Sequence, residues 1–208
     1  MKNVKPILFS TPMVQAILAG NKTQTRRIIP ENIVDEYYSY DDWCTSVMPK
    51  DINCSRMFEK EFFMNKCKYS VGDILWVRET FIPTLAYGTV YSYIYKATND
   101  LDCFRGRWKP SIFMPKEACR IFLKLTNIRV ERLNDISEND SLMEGIQAFT
   151  KHNGLFKHGL DGWEWQSMPK YAKEAYKMLW EKINGKGSWD LNPYVWVYDF
   201  ERDYEFHF

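Results

Sequence analysis

The sequence predicts an α+β fold in which a curled sheet, expected to close into a barrel, is surrounded by helices. Two observations favour this class. Segments with strand-like alternation are not adjacent along the chain, because helical patterns separate them. With 208 residues, 45% of them hydrophobic, the chain is also long enough for one large domain with a substantial core.

The first elements follow from local chemistry. Residues 6–9 form a short apolar run with extended character, and Ser10 and Pro12 then mark the N-terminus of a helix. Gly20 is typical of a left-handed C-terminal cap, so we expect the helix to end there. The threonines of residues 21–27 favour an extended segment that leaves this helix.

Two stretches lack sustained periodicity. We interpret residues 31–69 and 147–168 as insertions into a single domain that spans residues 1–208. The first stretch is expected to contain short helices, and the second to be an irregular polar and aromatic loop.

The middle of the chain predicts strands. Residues 74–81 alternate in character, and residues 89–97 are rich in Tyr and β-branched side chains. Residues 120–133 are long for a single strand. Their apolar phase shifts between Leu125 and Ile128, which indicates a β-bulge or two strands joined by a turn.

The remaining elements are two helices and a strand. Residues 134–146 predict a short helix, because Ser137 and Asp140 have the spacing of a capping box. Residues 169–184 carry the clearest amphipathic helical pattern, and residues 194–201 follow it as a strand.

Charge and cysteine content disfavour several classes of protein. A formal net charge of +1 disfavours tight non-specific binding of duplex DNA. The five cysteines contain no C-x-x-C pair and are typical of reduced intracellular thiols, so we expect neither a metal nor another cofactor. No segment approaches the roughly 20 apolar residues of a membrane span. We therefore expect a cytoplasmic protein with no membrane partner.

Aromatic residues make up 16% of the chain, and two of them are candidate stacking platforms beside a cation. Trp76 precedes Arg78 and Glu79 in a predicted strand. Trp108 precedes Lys109 in a loop bracketed by prolines, a constrained segment of the kind that often positions a ligand. All five residues are candidates for substrate binding.

The most compact polar cluster follows the first helix, at residues 22–27. A lysine near a threonine hydroxyl is a minimal base and nucleophile for acyl transfer, provided that burial leaves some of the amine neutral. A solvated loop is the alternative. Because alternate residues of a strand share a face, spacing leaves open whether Lys22 meets Thr23 or Thr25.

Residues 17–27 (ILAGNKTQTRR) resemble the I-L-x-G-x-K-T-x-T-x-R signature of the ASCH-domain family. The fold of that family is a PUA-like β-barrel related to RNA-binding modules. Similar family segments are residues 71–75, 123–137 and 195–201. Three further segments are similar to a longer subgroup found in bacterial phages and prophages: residues 76–79, 108–115 and 192–197. The chain departs from minimal members of the family at Gln24 and Arg26, where those carry apolar residues.

The resemblance implies a chemistry. Small bacterial ASCH proteins include amidohydrolases that remove the acetyl group of N4-acetylcytidine with a Lys, a Thr and a Glu. In this sequence these positions are Lys22, Thr25 and Glu144, which would act as base, nucleophile and proton donor. Arg27 would hold an oxyanion or a phosphate. Convergence of these three groups in a pocket would favour the enzyme, whereas a solvent-facing Glu144 would exclude it.

Three functions remain open at this point. The first is an amidohydrolase that deacylates an N4-acylated cytidine or a related modified base. The second is a non-catalytic module that binds a modified base or nucleic acid, RNA ahead of DNA. Its cations would surround the barrel mouth: Lys22, Arg26, Arg27, Arg78 and Lys109. The third is a phage accessory or structural protein that uses the barrel as an interaction scaffold.

Overall fold

The computed structural model describes residues 3–47, 55–86, 89–99, 107–151 and 154–206. Its strands and helices in chain order are β1 (Val4–Leu8), α1 (Thr11–Leu18), β2 (Gln24–Ile28), α2 (Glu31–Val47), α3 (Ser55–Asn65), β3 (Ile74–Arg78), β4 (Phe81–Ala86), β5 (Thr89–Tyr95), β6 (Phe122–Arg132), α4 (Glu138–Met143), β7 (Gln147–Thr150), β8 (Phe156–Gly159), α5 (Ala172–Asn184) and β9 (Tyr194–Asp203). Within these ranges, no helix combines the length and the hydrophobicity that crossing a bilayer requires.

Five strands form one mixed sheet in the order β1-β3-β6-β9-β2, and two separate hairpins are formed by β4–β5 and β7–β8. Strand β1 is parallel to β3, and the other neighbours in the large sheet are antiparallel. The α+β class is therefore confirmed. The closed barrel is not, because β1 and β2 lie at opposite edges and no backbone ladder joins them in the described residues.

A side chain connects the two edges instead. The Arg27 guanidinium, from β2, donates a hydrogen bond of 2.8 Å to the carbonyl oxygen of Leu8 at the end of β1. It also lies 5.2 Å from the centre of the Phe9 ring. Phe9 in turn contacts Phe200 of β9, with ring centres 6.2 Å apart. The sheet is thus curled enough for opposite edges to meet through side chains.

The large sheet is covered on both faces. Alternate residues of β9 divide between two cores: Trp196 and Tyr198 join the core under α1, whereas Val195 and Val197 join the core under α5. The helices of residues 31–69 contribute to the first core. There Phe63 is fully buried, and its carbonyl oxygen accepts a 2.9 Å hydrogen bond from the Trp196 indole.

Several sequence-based predictions hold at the level of single residues. The register of β6 shifts between Leu125 and Asn127, as the change of apolar phase indicated. At the start of α4, the Ser137 hydroxyl accepts from the Asp140 backbone amide at 3.0 Å, and both halves of the capping box are present. Gly20 adopts a positive φ of 76°, as a left-handed cap requires.

Several elements differ from prediction. The helix predicted over residues 134–146 spans Glu138–Met143, and α2 has 17 residues where short helices were expected. Residues 147–168 include the β7–β8 hairpin, whose four-residue strands are too short for alternation to reveal them. The strand predicted over residues 74–81 ends at Arg78, and β4 begins at Phe81. In the break between them, the Glu79 backbone amide donates to the Met114 sulfur at 3.1 Å.

Replacement of Ser137 by Ala is expected to lower the free energy of unfolding by about 1 kcal/mol, because the helix loses a side-chain cap. Urea unfolding followed by circular dichroism measures the change. Ser10→Ala is the matched control, since Ser10 occupies the N-cap position of α1 without a side-chain hydrogen bond. Equal destabilisation by the two substitutions would contradict the assigned role of the Ser137 hydroxyl.

Candidate functional site

A turn and a helix end bring Lys22 and Glu144 together. The backbone amides of Asn21 and Lys22 both bond to the Ala16 carbonyl oxygen, which reverses the chain after α1. Glu144 is the C-cap residue of α4, and an isolated β-bridge pairs it with Lys22. Gly145 follows with a φ of +103°, and a Cβ at this residue would lie 3.1 Å from the Ala16 Cβ. Only glycine permits both this backbone and this approach.

The Lys22 side chain is enclosed by acceptors. Its Nζ lies 2.7 Å from Oε2 of Glu144, 2.9 Å from the Glu144 carbonyl oxygen and 2.8 Å from the Gln24 carbonyl oxygen. Lys22 is 2% exposed and Glu144 3% exposed. Three acceptors match the three protons of the ammonium, so the buried charge is paired and fully hydrogen-bonded.

Burial lowers the pKa of the Lys22 ammonium, and the adjacent Glu144 carboxylate opposes that effect without cancelling it. Solvent exclusion therefore makes the neutral amine easier to reach than in an exposed lysine. The short contact with Glu144 gives the proton a direct acceptor.

Glu144 has two further donors on its other oxygen. The Arg26 Nη1 lies 3.1 Å from Oε1, and the Tyr176 hydroxyl lies 3.5 Å from the same atom. Burial, followed by the nearby Glu144 charge, raises the pKa of Tyr176 well above its ordinary value. Tyr176 is therefore protonated at neutral pH and acts as a donor to the carboxylate.

Arg26 connects the pair to a wider ionic network. Its guanidinium donates to Oε1 of Glu131 at 3.0 and 2.5 Å, and to Oε1 of Gln24 at 2.5 Å. The Gln24 amide donates to Asp140 at 3.1 Å and to Asp199 at 2.5 Å. Gln24 and Arg26, the two positions where minimal members of the family carry apolar residues, therefore both face carboxylates in this structure.

Arg129 closes this network on its more exposed side. Its guanidinium contacts Asp199 at 2.8 Å, Asp140 at 3.1 Å and Glu131 at 3.3 Å. Burial acts to raise the pKa of Asp140, but hydrogen bonds from Ser137 and Gln24 together with the charges of Arg26 and Arg129 outweigh burial, so this pKa lies below its ordinary value. Each carboxylate of the network thus has a cationic or hydrogen-bonding partner.

Thr25 lies beside Glu144 but is not bonded to Lys22. In the strand register, Thr25 pairs with Tyr198 and faces away from Gln24 and Arg26. It is 1% exposed, yet it lines a cavity of about 130 Å³ together with Glu144 and Arg27. Because β2 is an edge strand, side chains of both faces reach this cavity. The three ammonium protons of Lys22 are all donated to the acceptors given above.

A second cavity, of about 400 Å³, shares the Glu144 wall. Its lining comes from α1, from α5 and from the loop that follows β8, including Leu160, Trp163 and Leu179. Glu144 therefore lies between two cavities.

Sequence reasoning missed both Tyr176 and Trp163. Helical periodicity placed Tyr176 on a buried face, but no local signal connected that face with Glu144.

The remaining predicted site residues lie outside the linings of these two cavities. Trp76 is 9% exposed and belongs to a cluster with Ile74 and Phe122. Its expected role as an open stacking platform is corrected, because its ring packs within the protein and has the Arg78 guanidinium 5.4 Å from its centre. Glu79, 1% exposed, is held by two hydrogen bonds from Arg120, at 2.8 and 2.9 Å.

The proline-bracketed loop is anchored to the sheet. Arg78 donates a hydrogen bond to the carbonyl oxygen of Ile112. The backbone of Lys109 pairs with that of Phe81, which leaves the Lys109 side chain exposed and Trp108 half-buried. These residues therefore form a region separate from the Lys22–Glu144 pair.

The expected ring of cations around a barrel mouth is also corrected. Lys22 and Arg26 are 2% and 3% exposed, and both are paired with carboxylates. Charges that are buried and neutralised in this way cannot form a phosphate-binding surface. Of the five proposed cations, Arg27, Arg78 and Lys109 keep exposure.

Comparison with protein-family models, with curated proteins and with solved structures finds no match to this chain. Among the described residues, no group of three or more His, Cys, Asp or Glu side chains is arranged to hold a metal ion.

Replacement of Lys22 by Met is expected to lower the free energy of unfolding by about 3–5 kcal/mol, because it leaves the Glu144 charge buried without its closest partner. The double variant Lys22→Met/Glu144→Gln should recover part of that loss. Urea unfolding provides the measurement. Lys5→Met is the control, since the Lys5–Asp73 pair is partly exposed and should contribute at most about 1 kcal/mol. A double variant less stable than Lys22→Met would contradict the charge argument.

The lowered pKa of Asp140 predicts an acid-dependent loss of stability. A carboxyl group with a depressed folded-state pKa stabilises the protein above its unfolded pKa, near 3.8, and that contribution is lost as the pH falls further. The fall in unfolding free energy below this pH should be shallower in Asp140→Asn than in the original chain. Urea titrations at several pH values test this, with Asp135→Asn as an exposed control. Identical slopes for the original chain and Asp140→Asn would contradict the prediction.

Proposed function

We propose that this chain is an amidohydrolase that removes the acyl group from an N4-acylated cytidine or a related modified base. The observation that carries the proposal is the position of Glu144. Its buried carboxylate bonds to Lys22 at 2.7 Å and lines the same cavity as the Thr25 side chain. A paired acid and base beside a hydroxyl are the parts that amide cleavage by acyl transfer requires.

Proton transfer along the hydrogen bond between Lys22 and Glu144 produces both the base and the acid that the reaction needs. Transfer of a proton from the Lys22 ammonium to Glu144 leaves a neutral amine and a neutral carboxylic acid. Burial favours this transfer because it lowers the pKa of the Lys22 ammonium. The amine is then a base and the acid a proton donor.

The reaction then proceeds in two steps, acylation of Thr25 and hydrolysis of the resulting ester. Lys22 takes the proton of Thr25, whose oxygen attacks the amide carbonyl. The C–N bond breaks while Glu144 protonates the departing amine, which leaves an ester on Thr25 and regenerates the ion pair. After a second transfer from Lys22 to Glu144, Lys22 deprotonates a water that attacks the ester, and Glu144 returns a proton to the Thr25 oxygen.

Neighbouring side chains have supporting roles in this scheme. Arg26 and Tyr176 hold the Glu144 carboxylate from its second oxygen, at 3.1 and 3.5 Å. Arg27 lines the cavity with Thr25, and beyond the hydrogen bond to Leu8 its guanidinium has further N–H donors for a tetrahedral oxyanion.

Membership of the ASCH family and a closed PUA-like barrel belong to the same proposal. Two observations support them. Glu144 contacts Lys22 and shares a cavity lining with Thr25, and Arg27 links the two edge strands that barrel closure would pair.

Binding of a modified base without turnover is a second candidate. The observation that favours it is the hydrogen bonding of Lys22, because all three protons go to acceptors other than Thr25. In that function, the Glu144 carboxylate accepts a hydrogen bond from an N–H group of the base.

Incubation with N4-acetylcytidine, followed by chromatography of released cytidine, tests the enzymatic proposal. We expect turnover by the original chain and a decrease of at least about 10³-fold in Thr25→Ala, because the nucleophile is lost. Thr23→Ala is the matched control, since Thr23 is an exposed threonine two residues earlier in the same segment. It should keep its activity.

Two other results would contradict parts of the enzymatic proposal. Turnover by Thr25→Ala at the rate of Thr23→Ala would exclude Thr25 as nucleophile. No turnover by the original chain, combined with measurable binding of cytidine, would favour the non-catalytic candidate.

A further inference from the structure

We propose that the cavity of about 400 Å³ between α1, α5 and the loop after β8 is a binding site for an amino-bearing nucleobase. The base stacks on Trp163, and its exocyclic amine donates a hydrogen bond to Glu144. This inference rests on the proposed function, since both use Glu144, which separates this cavity from the one that Thr25 lines. Binding itself requires no catalytic step.

Trp163 has the support that a stacking platform needs. A Cβ placed on Gly159 would lie 3.1 Å from Cε3 of Trp163 and 3.0 Å from Cγ of Met168. The indole therefore packs directly against the Gly159 backbone, which only a glycine leaves open. Trp163 also lines the cavity, whereas Gly159 does not. A half-buried indole supported from behind and open to a cavity presents a surface on which a base can stack.

The composition of the cavity suits a flat aromatic ring with one polar edge. Its buried lining residues are Ala16, Glu144, Leu160 and Leu179. Glu144 is the charged member of this set, so the buried part of the lining is apolar except for one carboxylate. A volume of about 400 Å³ lies within the range of small-molecule sites. A ligand that fills the cavity contacts both Trp163 and Glu144.

The hydrogen bonding of Glu144 selects the kind of base. A carboxylate offers about four lone-pair positions, and Lys22, Arg26 and Tyr176 use three of them. The remaining position accepts from an N–H donor, as carboxylates do from the N4 amine of cytosine. Uracil presents a carbonyl oxygen at the same place, which the carboxylate repels.

The rim of the cavity favours an uncharged nucleoside. Among the exposed lining residues, Asp161 and Lys182 carry opposite charges. Their fields oppose one another, so the rim lacks the cluster of cations that phosphate groups require. Cytidine is therefore the reference ligand, and it is also the product of the proposed reaction.

Isothermal titration calorimetry with cytidine tests the site. We expect Trp163→Ala to weaken binding at least about tenfold, since base stacking is lost. Trp163→Phe keeps a ring and should remain within about threefold of the original chain. Trp165→Ala is the matched control, because Trp165 belongs to the same loop but contacts Lys151 and Lys157 and does not line the cavity. Uridine should bind at least about tenfold more weakly than cytidine.

A second variant keeps the test decisive if Trp163→Ala does not fold. Ile183 is 53% exposed and lines the cavity, so Ile183→Trp should block the opening and abolish cytidine binding without disturbing the core. Cytidine affinity unchanged by Trp163→Ala or by Ile183→Trp would overturn the inference, as would the absence of cytidine binding to the original chain.

The proposed binding site and the proposed reaction can be refuted independently of each other. Turnover of N4-acetylcytidine whose KM is unaffected by Trp163→Ala would retain the amidohydrolase and exclude this binding site. Cytidine binding that depends on Trp163, without turnover of any N4-acylcytidine, would retain the site and exclude the amidohydrolase.

Discussion

The buried contact between Lys22 and Glu144 is the interaction on which the site depends. It joins the turn after α1 to the end of α4 at an Nζ–Oε2 distance of 2.7 Å. Removing two charges from water is costly unless each finds a close partner and its other hydrogen-bonding positions are filled. The Lys22 ammonium meets both conditions with three acceptors, and the Glu144 carboxylate has three donors for its roughly four acceptor positions.

The surrounding network explains how so much charge is accommodated inside a small domain. Arg26 links Glu144 to Glu131, and Arg129 links Glu131 to the partly exposed carboxylates of Asp140 and Asp199. Charge is therefore compensated stepwise from the interior to the surface. The same arrangement limits function, since cations committed to carboxylates do not attract a nucleic-acid backbone. In the proposed function, a small ligand enters a cavity beside Glu144.

Much of the fold was readable from local patterns, and the site was readable only in part. The capping box at Ser137 and the β6 bulge depend on neighbouring residues, so the sequence revealed them. Trp76 and Arg26 show the limit. Both have the residue type of a ligand contact, yet Trp76 packs in a core cluster and Arg26 in an ion network. Residue type does not indicate which groups surround a side chain in the folded protein.

The sequence by itself determined the α+β class and most helices and strands, and its resemblance to a family singled out Lys22, Thr25 and Glu144. These features depend on periodicity, caps and residue order over short distances. Only the tertiary structure decided that Lys22 meets Glu144, that Thr25 faces away from Gln24, and that Trp163 lines a cavity. Lys22 and Glu144 are 122 residues apart. Such contacts depend on how the sheet, α1 and α5 pack together, and no local pattern records that packing.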